Sequence, residues 1–289
     1  MKLCPACSSG IDAADWHCPA CGHTPVQWGR WPAFAPELAA ENPADAKYCT
    51  EAIFAAEPSH FWFRARRRLA AWAACSFFPA PGSVLEIGCG SGFILEGLQA
   101  ALPDAELYAS DLLGTFLEQT ARRVPAAHLM QMDARQIPFR AEFDLVAAFD
   151  VLEHIDEDQL VLEQIGRALR PGGGLLLTVP QHPALWSAVD DYSRHRRRYT
   201  RRRLLLQMQQ AGFTVLRMTS VFMFILPALV AARLRQRRLS ADFDPTADLR
   251  VVEPWNRLFE RLTRFEESLI QRGWSLPAGG SLLAAGVRR

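Results

Sequence analysis

The stretch Val84-Leu85-Glu86-Ile87-Gly88-Cys89-Gly90-Ser91-Gly92 constrains this chain more than any other. An apolar run ends in a carboxylate and a glycine-rich turn, and Phe93-Ile94-Leu95-Glu96-Gly97-Leu98 then begins a helical period. Strand, tight loop and helix in that order open a nucleotide-binding βαβ unit. Glycine lets the backbone approach a ligand because no Cβ intervenes, and the helix N-terminus adds free N–H donors. A dinucleotide fingerprint needs G-x-G-x-x-G, with diphosphate over the helix end. Here Gly88, Gly90 and Gly92 give G-x-G-x-G, and Phe93 stands where the third fingerprint glycine belongs. Glu86, just before the loop, repels a diphosphate but suits a cationic amino-acid ligand.

A chain of 289 residues holds one large domain and an accessory piece, and its 49% apolar content fits a sizeable core. Net charge is +1, so no global field draws it to nucleic acid or membrane, and no specific nucleic-acid partner is expected. No apolar run follows Met1-Lys2-Leu3-Cys4, so the expected location is cytoplasmic, where cysteines stay reduced and paired ones suggest metal. Cys4-Pro5-Ala6-Cys7 and Cys18-Pro19-Ala20-Cys21 are two C-x-x-C knuckles. Four thiolates suit a closed, tetrahedral, structural Zn(2+) site, with disulfides or a four-sulfur iron centre as alternatives. His17 and His23 are expected to be bystanders. Residues 1–28 therefore read as a zinc ribbon that also offers a surface to a protein partner.

Residues 29–47 are rich in Pro and Ala and read as a linker. Residues 48–78 are helical in pattern and contain His60-Phe61-Trp62-Phe63-Arg64-Ala65-Arg66-Arg67-Arg68. Aromatics packed on the main domain and solvated arginines are the plain expectation for such a run. Strands are expected at 83–87, 106–111, 127–131, 143–150, 175–180 and 213–220. Asp111 ends the second, about twenty residues past the glycine loop, the spacing of a carboxylate on ribose hydroxyls. Strand C-terminal ends face the cleft in open α/β sheets, which puts the Asp150–His154 turn there. His154 reads equally as a general base or as a histidine capping the turn. The loop after the fifth strand gathers His182, Trp186, Asp190, His195, Arg198 and Tyr199, and reads as an acceptor-recognition loop for an anionic group.

The glycine loop, the Asp150-Val151-Leu152-Glu153-His154-Ile155 run and the stretch Leu169-Arg170-Pro171-Gly172-Gly173-Gly174 together resemble the class I S-adenosylmethionine-dependent methyltransferases. The matched segments cover roughly residues 51–210. The resemblance implies an α/β, Rossmann-like sheet, mostly parallel, with an antiparallel last strand at 280–289 and a helical insertion at 221–279. The core is then 48–220, its N-terminal helix lying as a lid over the cofactor. It implies a pocket for S-adenosyl-L-methionine in which Glu86 attracts the amino group and Gly88, Gly90 and Gly92 make room. Asp111 with Leu112 would hold ribose, Asp133 with Ala134 the adenine side, and Asp150 would lie beside the sulfonium. His154, His182 and His195 are the candidate bases. The acceptor would be a small-molecule or lipid-linked compound, such as an anionic lipid, a quinone or a sugar-linked molecule.

Within the insertion, an apolar run followed by arginines at 221–238 suits a peripheral contact at the inner membrane face or a helix packed on the domain. A second amphipathic helix is expected at 254–272, with Trp255, Leu258, Phe259, Leu262, Phe265, Leu269 and Ile270 on its apolar face. Two other functions fit a glycine loop: a nicotinamide-dependent oxidoreductase, and a non-catalytic adaptor that keeps the fold.

Overall fold

The computed structural model describes residues 1–12, 15–41, 50–235, 244 and 246–289. The chain opens with a small antiparallel pair, β1 (Lys2–Leu3) and β2 (Gly10–Ile11), in which Leu3 faces Gly10. A hairpin follows, β3 (Val26–Trp28) and β4 (Trp31–Ala33), then three helices, α1 (Pro36–Glu41), α2 (Thr50–Ala56) and α3 (Phe61–Phe77). His60 caps α3 by accepting from the Trp62 N–H. The alternating part comprises β5 (Ser83–Ile87), α4 (Phe93–Ala101), β6 (Glu106–Asp111), α5 (Gly114–Arg123), β7 (His128–Gln131) and β8 (Phe143–Phe149). It continues through α6 (Asp158–Ala168), β9 (Leu169–Pro180), α7 (Ala188–Tyr192), α8 (Arg201–Gln210) and β10 (Phe213–Val221). Helices α9 (Leu226–Arg235) and α10 (Glu253–Gln271) precede the last strand, β11 (Ser281–Arg288).

The main sheet has nine strands in the order β10-β11-β9-β8-β5-β6-β7-β4-β3. Strands β4 to β9 pair in parallel, and β11 lies antiparallel between β9 and β10. This is the α/β Rossmann-like sheet expected from the sequence, antiparallel last strand included. β5 is buried at every residue and β8 at all but Asp144. Parallel strands covered on both faces carry such continuous apolar runs. One cluster of buried side chains joins α3, α4 and α5 to one face, around Leu69, Leu95, Leu98 and Leu117. The other joins α6 and α8 to the opposite face, around Val161, Leu162, Ile165 and Leu204.

Three expectations need correction. Residues 29–41 are not a linker: β3 and β4 extend the main sheet beyond β7, and the Gln131 amide exchanges hydrogen bonds with the Ala35 backbone at 3.0 and 2.8 Å. Residues 42–47 of that segment lie outside the described residues. Nor are the arginines of α3 a solvated face. Arg64 pairs with Glu260, Arg66 with Asp150, Arg67 with Glu96, and Arg68 with both Glu260 and Glu267.

The third correction concerns α10. Its buried face carries Thr263, Glu266, Glu267 and Ile270, with Phe259 and Leu262 packed nearby. Trp255, Leu258 and Phe265 of the expected apolar stripe are exposed. Polar contacts set this rotation. Glu266 accepts the backbone N–H groups of Phe222, Met223 and Phe224, and Glu267 takes Arg68 in a two-pronged bond. Buried N–H groups left unpaired cost more than an exposed aromatic does. The start of the 221–238 run is also internal, with Val221, Phe222 and Ile225 buried and Phe222 stacked on Trp62 at 3.9 Å. Residues 236–238 lie outside the described residues. Among the described residues no helix is long and apolar enough to cross a membrane.

The β3–β4 hairpin is seated through Trp28, whose indole fills the space where a Gly114 side chain would start. Gly114→Ala should therefore destabilise the fold by about 1–3 kcal/mol through overpacking, measured by urea unfolding. The same change in a Trp28→Ala background should cost much less. Equal effects in both backgrounds would show that the hairpin does not dock there.

Candidate functional site

The sheet's connections reverse between β5 and β8: from β5 the chain moves outward through β6 and β7, then returns to β8 on the other side. A crevice must open at the C-terminal ends of these two strands, because the connections leave them on opposite faces. Gly88 follows β5 and Asp150 follows β8. A Cβ on Gly88 would come within 2.5 Å of Val151 Cγ2, and its φ is +65°, so only glycine fits without displacing the facing turn. Gly90 has φ +52° with open space where a side chain would be, which leaves its backbone accessible.

The loop is held by its neighbours. Asp111 accepts the Gly90 N–H at 2.9 Å through one carboxylate oxygen and the Leu113 N–H at 2.9 Å through the other. Thr120 donates to the Gly90 carbonyl at 2.8 Å. Glu57, just past α2, bonds to Ser91 and to Arg123 at 2.6 Å, and so clasps the loop from the N-terminal side.

A cavity of about 600 Å³ opens over this corner. Its wall includes Gly88, Gly90, Asp111, Leu112, Asp133, Ala134, Asp150 and His154, eight of the residues singled out from the sequence. Glu86 and Gly92 lie behind the wall. Leu38 of α1 and Phe116 of α5 add apolar surface, and Arg194 and Arg196 lie on the wall beside the carboxylates of Asp156, which pairs with Arg196 at 3.4 Å, and Glu157. Leu38 comes from the segment read as a linker. Asp133 is already engaged, with Arg135 at 2.9 Å, and Arg135 also reaches Glu157 at 3.2 Å.

Glu86 is 1% exposed, and its Oε2 has no hydrogen-bond partner. Burial pushes its carboxyl well above the usual range; Arg66 opposes that shift and Asp111 adds to it. A cation arriving at this corner would favour the ionised form and relieve the unpaired oxygen. Asp150 sits at φ +55° and is fixed on three sides: its N–H donates to the Thr178 carbonyl at 3.0 Å, Thr178 Oγ1 donates to its carboxylate at 2.9 Å, and Arg66 pairs with it. Arg66, which pairs with Asp150 at this corner, was not singled out from the sequence. It was one of four arginines in a row of mixed character, and nothing local distinguished it.

The three histidines separate. His154 and His195 come together edge to face, with ring centroids 4.7 Å apart. His182 is at φ +64° and does not line the cavity. Burial, then the proximity of His195, lowers the His154 pKa to about 4, so its imidazole is neutral at pH 7 and a weak proton acceptor. Of the loop expected to read an acceptor, Asp190, Arg198 and Tyr199 are buried. Burial opposes ionisation of Asp190, but hydrogen bonds from His195 and Arg198 prevail and hold it at about 2. Arg198 grips Asp190 at 2.8 and 3.1 Å, and Tyr199 donates to Asp158 at 2.7 Å. Of this loop, Arg194 and Arg196 reach the cavity wall.

At the N-terminus the sulfurs of Cys4, Cys7, Cys18 and Cys21 all lie within 4.8 Å of one another, with Cys4–Cys21 and Cys7–Cys18 both at 3.6 Å. Tetrahedral Zn–S bonds of about 2.3 Å put sulfurs about 3.8 Å apart, so the cluster has the dimensions of a four-thiolate site and not of two disulfides. His17 bonds to Thr24 at 3.1 Å, outside that cluster. The knuckles pack onto the main domain through Leu3, whose N–H meets the Pro138 carbonyl at 2.9 Å, and through Trp16 against Phe34 and Phe139.

A family model described as a methyltransferase domain matches residues 54–218. The chain is similar to the malonyl-[acyl-carrier protein] O-methyltransferase of Haemophilus ducreyi, 38% identical over 98 residues, 32% of this chain and 38% of that protein. It is 31% identical over 153 residues to the protein of the same name from Methylococcus capsulatus, covering 48% of this chain and 54% of the relative. The chain thus spans about half the length, or less, of these curated relatives. The solved [4+2]-cyclase SpnF superposes with a TM-score of 0.53 at 19% identity, over 78% of this chain and 83% of that one. At that identity the likeness concerns the fold alone.

Arg66 pairs with Asp150 and its charge also acts on the buried Glu86. Replacing it with Leu should lower stability by about 1–3 kcal/mol, since it leaves Asp150 unpaired beside Glu86. Arg66→Lys should recover part of the loss in urea unfolding. An unperturbed Arg66→Leu protein would show that the pair with Asp150 contributes nothing.

Proposed function

This chain belongs to the methyltransferase-domain family, whose model spans more than half of its 289 residues, and from that premise we propose that it transfers a methyl group from S-adenosylmethionine to an anionic oxygen acceptor. When bound, that cofactor supplies a methyl group on a cationic sulfur. The observation that supports this reading most is the buried carboxylate of Glu86, with one oxygen unpaired, beneath a turn where Gly88 leaves no room for a side chain. In this reading Glu86 attracts the amino group, Asp111 and Leu112 face the ribose, and Asp133 and Ala134 flank the base. The family match and Glu86 both count against a nicotinamide-dependent oxidoreductase.

The chemistry required of the protein is mainly orientation, which in well-aligned systems supplies on the order of 7–11 kcal/mol. An acceptor that is already an anion needs no strong base, and His154, with a pKa near 4, offers none at neutral pH. Arg194 and Arg196 on the cavity wall suit such an acceptor. Two relatives are named as O-methyltransferases, which favours oxygen over nitrogen or carbon. A carboxylate is the acceptor class we infer. Methyl label transferred to a carboxylate is released as methanol by mild base, and label that resists base would overturn that assignment.

Zn(2+) held by Cys4, Cys7, Cys18 and Cys21 is part of the same reading, as a structural ion with a complete shell. Its role is to hold the N-terminal knuckles together against the Phe139 region. A partner protein on the ribbon and a membrane contact by α9 and α10 are further proposals. The second draws on Trp255 and Phe265, 56% and 52% exposed among the arginines of α10.

Glu86→Gln should keep the fold and weaken S-adenosylhomocysteine binding at least about tenfold, a loss of about 1.4 kcal/mol by calorimetry. Unchanged affinity would place the amino group elsewhere. Cys18→Ser should lower the zinc content of the purified chain by one equivalent, read by elemental analysis; an unchanged content would remove zinc from the ribbon.

A further inference from the structure

Three side chains converge at the edge of the cavity in a way that methyl transfer as described does not use. Glu153, in the single 3-10 turn Leu152–His154, is 1% exposed, and neither of its carboxylate oxygens has a hydrogen-bond partner. The next residue, His154, lines the cavity, and His195 arrives from the loop after α7. One ligand atom from each of Glu153, His154 and His195 lies within 4.8 Å of the other two.

Each imidazole is already held through one position. His195 Nδ1 is 2.9 Å from the Asp190 carboxylate, and His154 is hydrogen bonded to the Ser193 backbone. His195 is thus fixed through Nδ1 by a carboxylate, and His154 by a backbone group. Metal-bound histidines show this arrangement, in which a carboxylate or carbonyl holds the far nitrogen and sets the ring's direction. Asp190 is itself pinned by Arg198 and by the Ser187 cap of α7. The nearby arginines do not serve Glu153 as partners: Arg66 pairs with Asp150 and Arg198 with Asp190. A buried carboxylate with two idle oxygens is costly unless a cation or a donor meets it. Burial first, then the charge of Asp150, pushes the Glu153 carboxyl well above its usual range.

We propose that Glu153, His154 and His195 bind a divalent transition-metal ion at the cavity edge. Two imidazoles and one carboxylate suit zinc or iron(II), and three protein ligands leave positions for an outside oxygen. The site is separate from the cysteine cluster and opposite to it in character: nitrogen and oxygen donors with an incomplete shell, against four sulfurs with a complete one. Binding of the ion does not depend on the proposed activity. Its use does: on the methyl-transfer reading, His154 lines the same cavity as Arg194 and Arg196, where an oxygen of the acceptor would meet the ion.

The test uses the full chain with its cysteine cluster loaded with zinc, titrated with Co2+ as the probe. One equivalent should bind, with the weak visible bands of nitrogen and oxygen ligands and without the intense thiolate band a cysteine site would give. Glu153→Gln and His195→Gln should each weaken Co2+ binding by on the order of 100-fold. Glu153→Gln replaces an unpaired buried carboxyl by an amide of the same shape, so the metal-free variant should melt at the same temperature as the parent or higher, which separates lost binding from lost folding. Absence of Co2+ binding in the parent chain, or equal binding in both variants, would overturn the proposal. S-adenosylhomocysteine binding measured on the same samples reports on the methyl-transfer reading alone; Co2+ binding without it would leave the metal site standing and that reading fallen.

Discussion

The close approach of Gly88 to Val151 governs everything around it. Two adjacent parallel strands, β5 and β8, send their chains to opposite faces of the sheet, and their ends must pass within van der Waals contact. A side chain at Gly88 would push those ends apart. The crevice between them is a consequence of the topology, not of any one functional residue. Asp111 then joins loop to sheet by accepting from Gly90 and Leu113. The corner is rigid before any ligand arrives.

Around that corner the electrostatics are deliberately unequal. Asp111 adds to the raised proton affinity of Glu86 and Asp150 to that of Glu153, and Arg66 opposes both while pairing with Asp150. Such a site favours incoming positive charge. On the two proposals made above, a cationic sulfur donor would meet that demand at Glu86 and a metal ion would meet it at Glu153.

Away from the corner, polar anchors prevail over apolar pattern. Helix α10 turns Glu266 and Glu267 inward because three backbone N–H groups and Arg68 need them, and it leaves Trp255 and Phe265 outside. The loop after β9 behaves alike: Asp190, Arg198 and Tyr199 form an internal latch, where their density suggested an acceptor-reading surface. In α10 the inward carboxylates find their partners far away in the chain, whereas in the loop Asp190 and Arg198 are eight residues apart and meet because the loop folds back on itself.

Local order settled much of this protein. Continuous apolar runs, a carboxylate, and glycines at alternate positions specify strand, loop and helix without help from distant residues, and the cysteine spacing brings four sulfurs together over a few turns of chain. Of the eight cavity-wall residues from Gly88 to His154, the glycines, Asp111, Asp150 and His154 were readable at strand ends, while Leu112, Asp133 and Ala134 came from the family resemblance. Tertiary structure alone decided that the segment after residue 28 joins the sheet, that Arg66 reaches Asp150, and that His154 and His195 meet while His182 stands apart. Each of those contacts joins residues tens of positions apart, whose pairing depends on strand order and helix rotation and leaves no periodic trace in the sequence.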